Sequence, residues 1–450
     1  MIFVTSYAVE IKHPGDKFWE TVKEYRAAEA FFADVANKEW DKIKDATSHD
    51  KLLIVESLTH KTKNRAAVPY DFDISFFNMP SYLRRAAIMD GVGRVSSYRS
   101  NLENWDASSK KGNPPVLSKC ADAMPCFYRG NTYNDTEDPT ILEVKLYNGK
   151  AWDWQKIKVK KTDVQYIKAH CAQKEKSAPT LEYKHGKMFL RFAFTEKIKL
   201  YDTPVIEQTV CAVDLGINTG ATCSILRADG TILARKFIDF PCDKDYLDKA
   251  LGRVKRHSRE NSPVNSGAQW KFAKRINEQM SYKISAAIVD FAVLYSCDAI
   301  IFEYLDAKGK KRGRSKEKLA WWRHGAIQRA AEIKAHQNAI HVYHVNAWNT
   351  SRLAFDGSGS VIRGKKAGFK ANTMCKFQNG KTYNCDLNAS YNIGARYFVR
   401  EILKTLPAKV RSQVEAKVPG CGRRTQCVYA TLMELHTALL LMDKTKRAAA

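Results

Sequence analysis

Three acidic residues of this 450-residue chain stand where an apolar segment meets a turn or a helix. Asp214 ends the apolar run 210–213, Glu303 ends a second such run, and Asp386 opens the segment Asp386-Leu387-Asn388-Ala389-Ser390. A buried carboxylate without a partner is costly, and hard divalent cations prefer oxygen ligands. If the three side chains converge, they predict a site for two Mg²⁺ ions about 4 Å apart, which would hold the attacking water and the leaving oxygen of a phosphodiester.

The order of the surrounding elements predicts how these acids come together. Apolar periodicity indicates, in order, strands 209–215, 221–227 and 231–238, a helix 270–296, a strand 298–304, a helix 316–337, a strand 340–346 and a final helix from 387. Three antiparallel strands followed by alternating helices and strands are typical of an α/β RNase H-like fold. In that fold the first and fourth strands are neighbours, so Asp214 and Glu303 are expected side by side. Asp386 would then start a helix that packs on the same sheet.

The first half of the chain has a different pattern. Alternation from Phe3 to Ile11 predicts a strand, and helical periodicity follows in residues 16–111. Residues 112–205 carry two hairpin signals, Asn148-Gly149 and His185-Gly186, between strand-like flanks. We expect the first strand to pair with this β-rich region, which makes the helical region an insertion between paired strands.

The charge balance is the strongest global signal. The formal net charge is +26 and 44% of the residues are hydrophobic, which favours a folded protein that binds a polyanion. Nucleic acid is the expected partner, and an anionic membrane surface is the alternative. No apolar run reaches the roughly 18 residues that span a bilayer, and no signal peptide is evident. The eleven cysteines are scattered without a Cys-x-x-Cys pair, which favours free thiols in a reducing, cytoplasmic compartment.

Basic residues flank the predicted metal site in the sequence. They lie before and on the helix 270–296 and after the strand that ends in Glu303, and two more lie on the polar side of the N-terminal helical region. Such runs are frequently only solvated faces, but beside a metal site they are candidates for phosphate contacts. The predicted nucleic-acid-binding residues are Arg84, Arg85, Arg253, Lys255, Arg256, Lys271, Lys274, Arg275, Lys308, Lys310, Lys311, Arg312, Arg314 and Arg352. Three tryptophans in the same region, Trp270, Trp321 and Trp322, are expected in the core rather than on a base-stacking surface.

Four short motifs between about 208 and 400 resemble one family. They are Val213-Asp214-Leu215-Gly216-Ile217-Asn218, Ile301-Phe302-Glu303-Tyr304-Leu305, Asn349-Thr350-Ser351-Arg352 and Asp386-Leu387-Asn388-Ala389-Ser390-Tyr391-Asn392-Ile393. They resemble the RuvC nuclease of TnpB-type transposon proteins and compact type V CRISPR effectors. The resemblance implies an RNA-guided DNA endonuclease in which a guide RNA pairs with target DNA and the protein reads a short flanking motif. It also implies that Asp214, Glu303 and Asp386 are the catalytic acids and the Mg²⁺ ligands.

The same resemblance implies a division of the chain into modules. A RuvC-like nuclease domain is expected to combine with an N-terminal β-barrel-like wedge module that carries an inserted helical recognition module. The expected boundaries are 1–15 with 112–205 for the wedge, 16–111 for the recognition module, 206–348 with 381–405 for the nuclease domain, 349–380 for a degenerate zinc-ribbon-like loop that contacts the target nucleic acid, and 406–450 for a C-terminal helical extension and tail.

Zinc is not expected, because the chain departs from the family at the ribbon. The family places two Cys-x-x-Cys pairs before the third acid. Here Ala354 and Gly357 stand at positions of the first pair, and Gln378 stands where the partner of Cys375 should be. A tetrahedral zinc site needs four convergent ligands, so this segment is predicted to keep its nucleic-acid-contacting role without a metal.

Three other functions remain open on the sequence. The first is an RNA-guided DNA-binding protein without cleavage, and the second is a guide-independent recombinase of the same fold. The third is an actin-like ATPase, because 214–219 and 356–359 are similar to the phosphate loops of that class. The single strand series and the large positive charge disfavour the ATPase. Transposon or CRISPR origin, the flanking motif, the guide architecture and the oligomeric state stay undecided.

Overall fold

The chain folds into two compact units. A computed structural model describes residues 1–108, 110, 112–118, 122–260, 267–305, 320–371, 373–423 and 425–448. One compact unit spans residues 2–197, and the second contains Met1 and residues 198–450. The cysteines in these ranges are free thiols. Within the same ranges, none of the helices is both long enough and apolar enough to cross a bilayer.

The N-terminal unit combines long helices with two small antiparallel sheets. Its helices are α1 (Lys17–Lys38), α2 (Trp40–Ile43), α3 (Ser48–Thr59), α4 (Phe72–Ser75), α5 (Ser81–Ala107) and α6 (Lys161–Cys171). Its strands are β1 (Ile2–Glu10), β2 (Tyr133–Asp135), β3 (Ile141–Tyr147), β4 (Trp152–Lys158), β5 (Glu175–Lys176), β6 (Thr180–Lys184) and β7 (Lys187–Lys197).

The turns of this unit form where the sequence predicts them. β6 and β7 are joined by His185 and Gly186, which both have positive φ angles, 53° and 77°, as a two-residue hairpin requires. In the β3–β4 hairpin the side-chain carbonyl of Asn148 accepts from two backbone amides of the turn. β1 pairs antiparallel with β7 along its whole length. The helices α1–α5 therefore stand between two paired strands, as the expected insertion does.

Helix α5 approaches α1 closely at one glycine. A Cβ atom at Gly91 would lie 2.9 Å from the backbone nitrogen of Ala33 and 3.1 Å from the carbonyl oxygen of Glu29. Two residues further along the same helix, a Cβ at Gly93 would meet no atom within 4 Å. The contact between the helices therefore depends on Gly91 and not on Gly93.

This pair of glycines gives a matched test of the packing. We expect Gly91→Ala to destabilise α5 by about 1–3 kcal/mol through overpacking, because the obstructing atoms are backbone. Gly93→Ala should be neutral or stabilising by up to about 1 kcal/mol through helix propensity. Amide hydrogen exchange of α5 in the full chain measures both effects. Equal protection in the two variants would contradict the packing described here.

The C-terminal unit is built on a five-stranded mixed sheet. Its strands are β8 (Thr209–Asp214), β9 (Ala221–Arg227), β10 (Ile232–Ile238), β11 (Ala299–Tyr304) and β12 (His341–Asn346). Their order is β10-β9-β8-β11-β12. β8, β9 and β10 are antiparallel neighbours, whereas β11 is parallel to both β8 and β12. The first and fourth strands are thus adjacent at the centre, as the strand order predicts.

Helices cover both faces of this sheet. They are α7 (Pro241–Arg259), α8 (Gly267–Leu294), α9 (His324–Gln337), α10 (Cys385–Thr405), α11 (Ala408–Lys417) and α12 (Tyr429–Ala448). Along β8, Val210 and Ala212 belong to the core beneath α10 and α12, whereas Cys211 and Val213 belong to the core beneath α8 and α9. A strand buried on both faces has a continuous apolar sequence instead of an alternating one, which explains the apolar run before Asp214.

A small three-stranded sheet precedes α10. It consists of β13 (Ile362–Arg363), β14 (Met374–Lys376) and β15 (Thr382–Asn384) in that order. β15 runs directly into α10, so the small sheet fixes where that helix begins.

Candidate active site

Two of the three predicted acids lie at the same edge of the central sheet. In the parallel pairing of β8 with β11, Val213 is opposite Phe302. Asp214 and Glu303 are the next residues of the two strands, so the pairing brings them to one edge although they are distant in sequence. Glu303 is only 8% exposed, whereas Asp214 keeps part of its surface open at the strand end.

Asp386 enters the same region from the first turn of α10. The side chain of Asn384 caps this helix by accepting from the backbone amides of Asp386 and Leu387, at 2.9 and 3.0 Å. An N-cap of this kind satisfies amides that lack partners inside the helix. Thr219, in the turn after β8, opposes the rise of the Asp386 pKa that burial causes. Asp386 is therefore within electrostatic reach of the loop that follows Asp214.

The three carboxylates oppose one another electrostatically. Loss of solvation, followed by the negative charges of Glu303 and Asp386, raises the pKa of Asp214 well above its ordinary value. Burial also raises the pKa values of Glu303 and Asp386. Like charges held together in a poorly solvated place favour protonation or a bound cation. The structure therefore brings the three predicted acids within electrostatic reach of each other.

Glu303 is held by a threonine that sequence reasoning did not select. The Thr350 hydroxyl donates to the Glu303 carboxylate, and this bond opposes the rise of the Glu303 pKa. Across the described ranges, no group of three or more His, Cys, Asp or Glu side chains is placed so that it could hold a metal ion as it stands. Thr350 belongs to the motif Asn349-Thr350-Ser351-Arg352, so a signal for it was present in the sequence.

Two asparagines of α10 hold the loop that carries Thr350. The Asn392 amide donates to the carbonyls of Thr350 and Leu353, at 2.9 and 3.0 Å, and accepts from the backbone of Tyr429. Asn388 donates to Leu353 and accepts from the backbone of Phe355. Both side chains are fully buried, and they supply partners for backbone groups that would otherwise lack them. The asparagines of this motif thus position the loop rather than face the acids.

Arg363 is a second component that sequence reasoning missed. Its positive charge lowers the pKa values of both Asp214 and Asp386, against the larger effect of burial. The guanidinium donates to the carbonyl of Ser351. Arg363 stands on β13, in a segment whose zinc-ribbon pattern is degraded, so no motif pointed to it.

A family model described as the Aq_aa04 family matches residues 5–148, and no curated protein matches. Among solved structures, Cas12f1 in complex with sgRNA and target DNA matches with a TM-score of 0.51 and 13% identity, over 87% of this chain and 98% of that one. The mini-RNA-guided endonuclease CRISPR-Cas_phi3 matches with a TM-score of 0.47 and 13% identity, over 87% and 92% of the two chains. C2c1 of Alicyclobacillus acidoterrestris, with single-guide RNA, matches with a TM-score of 0.45 and 10% identity, over 81% of this chain and 65% of that one.

The chain has the fold of a compact type V CRISPR effector. The resemblance inferred from the four sequence motifs is confirmed at the level of the fold.

The predicted phosphate contacts of the C-terminal unit lie mostly on open helix surfaces. Arg253, Lys255 and Arg256 are exposed on α7, and Lys271, Lys274 and Arg275 are exposed on α8. Arg352 is also exposed, in the loop before the small sheet. The predicted contacts Lys308, Lys310, Lys311, Arg312 and Arg314 lie outside the described residues. Binding of nucleic acid by these side chains stays a prediction.

Arg84 and Arg85 are engaged within the N-terminal unit. Arg84 is 8% exposed and donates to the Glu56 carboxylate at 2.9 Å, and the half-exposed Arg85 donates to the same carboxylate at 3.2 and 3.3 Å. The two guanidinium groups hold the Glu56 pKa below its ordinary value despite burial. The buried ion pair gives Arg84 a structural role, and Arg85 keeps an open side for the predicted phosphate contact.

An apolar cluster fills the segment that the sequence predicts to be a degenerate zinc ribbon. Ala354, Cys375, Phe377 and Cys385 are all at most 1% exposed and pack together, with the Phe355 ring 5.5 Å from the Phe377 ring. Gln378, at the position of a missing cysteine, packs against Gly359. Side-chain packing therefore joins the strands that a metal would join in a zinc ribbon.

Repulsion between the three acids predicts that removing one charge stabilises the fold. We expect Asp214→Asn to raise the melting temperature, measured with chelator present, because it removes one of three converging charges. Each kcal/mol gained corresponds to about 2–4 °C in a domain of this size. Added Mg²⁺ should reduce the difference, because only the native acids gain from a cation. The control is Asp290→Asn, an exposed aspartate paired with Lys334 at 2.8 Å, which should change stability by less than about 0.5 kcal/mol. A lower melting temperature for Asp214→Asn would contradict the opposition.

The apolar cluster predicts that the small sheet does not depend on metal. Chelator should leave the hydrogen-exchange protection of β14 and β15 unchanged. Phe377→Ala should lower the free energy of protection by about 3–5 kcal/mol, because packing is lost. The measurable loss cannot exceed the global free energy of unfolding. Lys376→Ala, at the exposed neighbouring position of β14, serves as the control. Release of stoichiometric zinc together with lost protection would show that a metal holds the sheet.

Proposed function

We propose that this chain is an RNA-guided DNA endonuclease with one RNase H-like (RuvC) active centre. One observation carries the proposal: β8 and β11 pair in parallel and present Asp214 and Glu303 at the same edge, where α10 supplies Asp386. The strand order of the central sheet supports the RNase H-like assignment. The modular division into wedge, recognition, nuclease and ribbon segments remains part of this proposal.

The donor set of this edge fits Mg²⁺. Asp214, Glu303 and Asp386 offer carboxylate oxygens, which this cation prefers, and their mutual repulsion favours a bound positive charge. When bound, a pair of such ions would activate a water and stabilise the charge that builds on the scissile phosphate. We infer that the three acids hold both ions.

The remaining residues of the site position the acids. Thr350 orients the Glu303 carboxylate through its hydroxyl, and Asn392 fixes the loop on which Thr350 stands. Thr219 lowers the pKa of Asp386 against the effect of burial. Arg363 offsets part of the negative charge and is available to pair with the non-bridging oxygens of a phosphate, as a guanidinium does well.

Guide RNA and target DNA are the proposed partners. The solved structure that shares this fold, Cas12f1, was determined with sgRNA and target DNA. A net charge of +26 and the exposed basic faces of α7 and α8 suit a polyanion. In proteins of this type base pairing carries the sequence information, and the protein holds the heteroduplex by its backbone and reads a short flanking motif.

The proposal predicts a separation of cleavage from RNA binding. Asp214→Ala should lower Mg²⁺-dependent cleavage of target DNA by roughly a thousandfold or more, since several kcal/mol of transition-state stabilisation would be lost at about 1.4 kcal/mol per tenfold. Guide-RNA affinity should not change. Asp290→Ala, on the outer face of α8, is the control and should cut normally.

The same assay distinguishes the alternative functions. Full cutting by Asp214→Ala would refute the site, and absence of cutting by the native protein with retained guided binding would favour a DNA-binding protein. Sequencing the RNA that copurifies tests the guide, because a recombinase that acts without a guide would carry no discrete RNA.

A further inference from the structure

A cavity of about 390 Å³ adjoins the proposed active site. Its walls come from α7, α8, the residues just before α9, and the turn that follows Asp214, including Gly216 and Asn218. Binding pockets for small organic groups have volumes of about 300–1,000 Å³, so one nucleotide-sized group fits. The described basic surfaces and the acids account for phosphate and metal, but neither accounts for this cavity.

The lining combines aromatic and cationic side chains. Trp321 and Trp322 form part of the wall, and Trp321 stacks on Trp270 with ring planes 3° apart and centroids at 5.8 Å. Trp321 and Trp322 are partly buried and pack against apolar clusters, as the sequence predicts, whereas Trp270 is 39% exposed. Lys244, Lys255 and Arg323 also line the cavity, together with Asp248. Lys244 and Arg323 pair with Asp239 and Glu278. Indoles beside basic side chains suit a base attached to a phosphate backbone.

Hydrogen bonds connect the wall of the cavity to the turn that follows Asp214. Lys244 donates both to the carbonyl of Asn218 and to the Asp239 carboxylate, which ties the start of α7 to the turn after β8. That turn is tight, because a Cβ at Gly216 would lie 2.5 Å from the carbonyl oxygen of Thr219. A group seated in the cavity is therefore held at a fixed register relative to Asp214.

We propose that this cavity binds one unstacked nucleobase of the DNA strand that is cut. The inference rests on the proposed endonuclease function and adds a subsite to it. Enzymes that act on single strands gain affinity from base–aromatic stacking, which tolerates any base. A base held here would set which phosphate reaches the acids, so the cavity would fix the cleavage register.

Gly252 offers a direct way to fill the cavity. It lines the wall on α7, and a Cβ there would meet no atom within 4 Å. Gly252→Phe therefore starts from an unobstructed position, adds bulk at the wall and improves helix propensity. Gly422→Phe is the control, because Gly422 is also exposed and unobstructed but lies elsewhere in the same unit. Trp321→Ala and Trp321→Phe form a second pair of variants. The first removes the aromatic ring and the second keeps one, so their comparison separates loss of stacking from loss of folding. The melting temperature of each variant checks that it folds.

The experiment is a scan of single abasic sites along the DNA strand, with single-turnover cleavage as the first measurement. In the native protein, one abasic position should lower the rate roughly tenfold, as loss of one stacked base implies. Gly252→Phe should lower the rate on intact DNA by a similar factor and show no further loss at that position, and Trp321→Phe should restore most of what Trp321→Ala loses. Gly422→Phe should behave like the native protein.

The second measurement does not depend on cleavage. A fluorescent adenine analogue, placed at each position of a single-stranded DNA in turn, should be quenched by the indoles at one position in the native protein and not in Gly252→Phe. If the native protein shows this quenching but cleaves no DNA, the base-binding subsite is supported and the nuclease proposal is refuted. Normal cleavage by Gly252→Phe, or sensitivity to a missing base only in the guide RNA, would overturn the subsite and leave the nuclease proposal intact.

Discussion

The parallel pairing of β8 with β11 is the constraint on which the rest of the C-terminal unit depends. Both strands are buried on two faces, so a shift of one residue would exchange the side chains that contact α10 with those that contact α8. That shift would also move Asp214 away from Glu303. The strand register that buries apolar side chains on both faces of the sheet is therefore the register that brings Asp214 and Glu303 together. Burial of those apolar side chains stabilises a fold that holds three mutually repelling carboxylates close to each other.

Helix α10 packs on this sheet and also holds the loops near the acids in place. Asn388, Asn392 and Arg396 follow one another at intervals of four residues, so they share one face of the helix. The Arg396 guanidinium donates to the carbonyls of Asn346, Trp348, Cys427 and Thr425, and the asparagines hold the loop of Thr350. Gly394 lets the other face approach β8 and β9, because a Cβ there would already contact Ala212 and Leu226 at 3.0 to 3.2 Å. The motif that begins at Asp386 is thus mainly a scaffold with one acid at its start.

The sequence predicted the elements whose signals are local. The five strands of the central sheet, the two hairpins and the pairing of β1 with the β-rich region follow from periodicity and turn residues. The partners of charged side chains did not follow, because they depend on long-range packing. Arg84 and Arg85 lie where the sequence predicts a solvated helix face, yet Glu56 from another helix forms ion pairs with both. Arg363 and Thr350 reach the acids from a two-residue strand and a loop that carry no periodic signal. Trp270 is largely exposed although its type suggests burial.

The apolar cluster in the segment predicted as a degenerate zinc ribbon bears on what the protein needs in order to mature. A metal-bound ribbon folds in step with ion uptake, so its yield follows the supply of that ion. Here Phe377, Ala354 and the two thiols pack together beside the small sheet. If this packing closes the sheet without a metal, as we predict, synthesis in a zinc-starved cell would still give α10 its proper start, and with it the third acid.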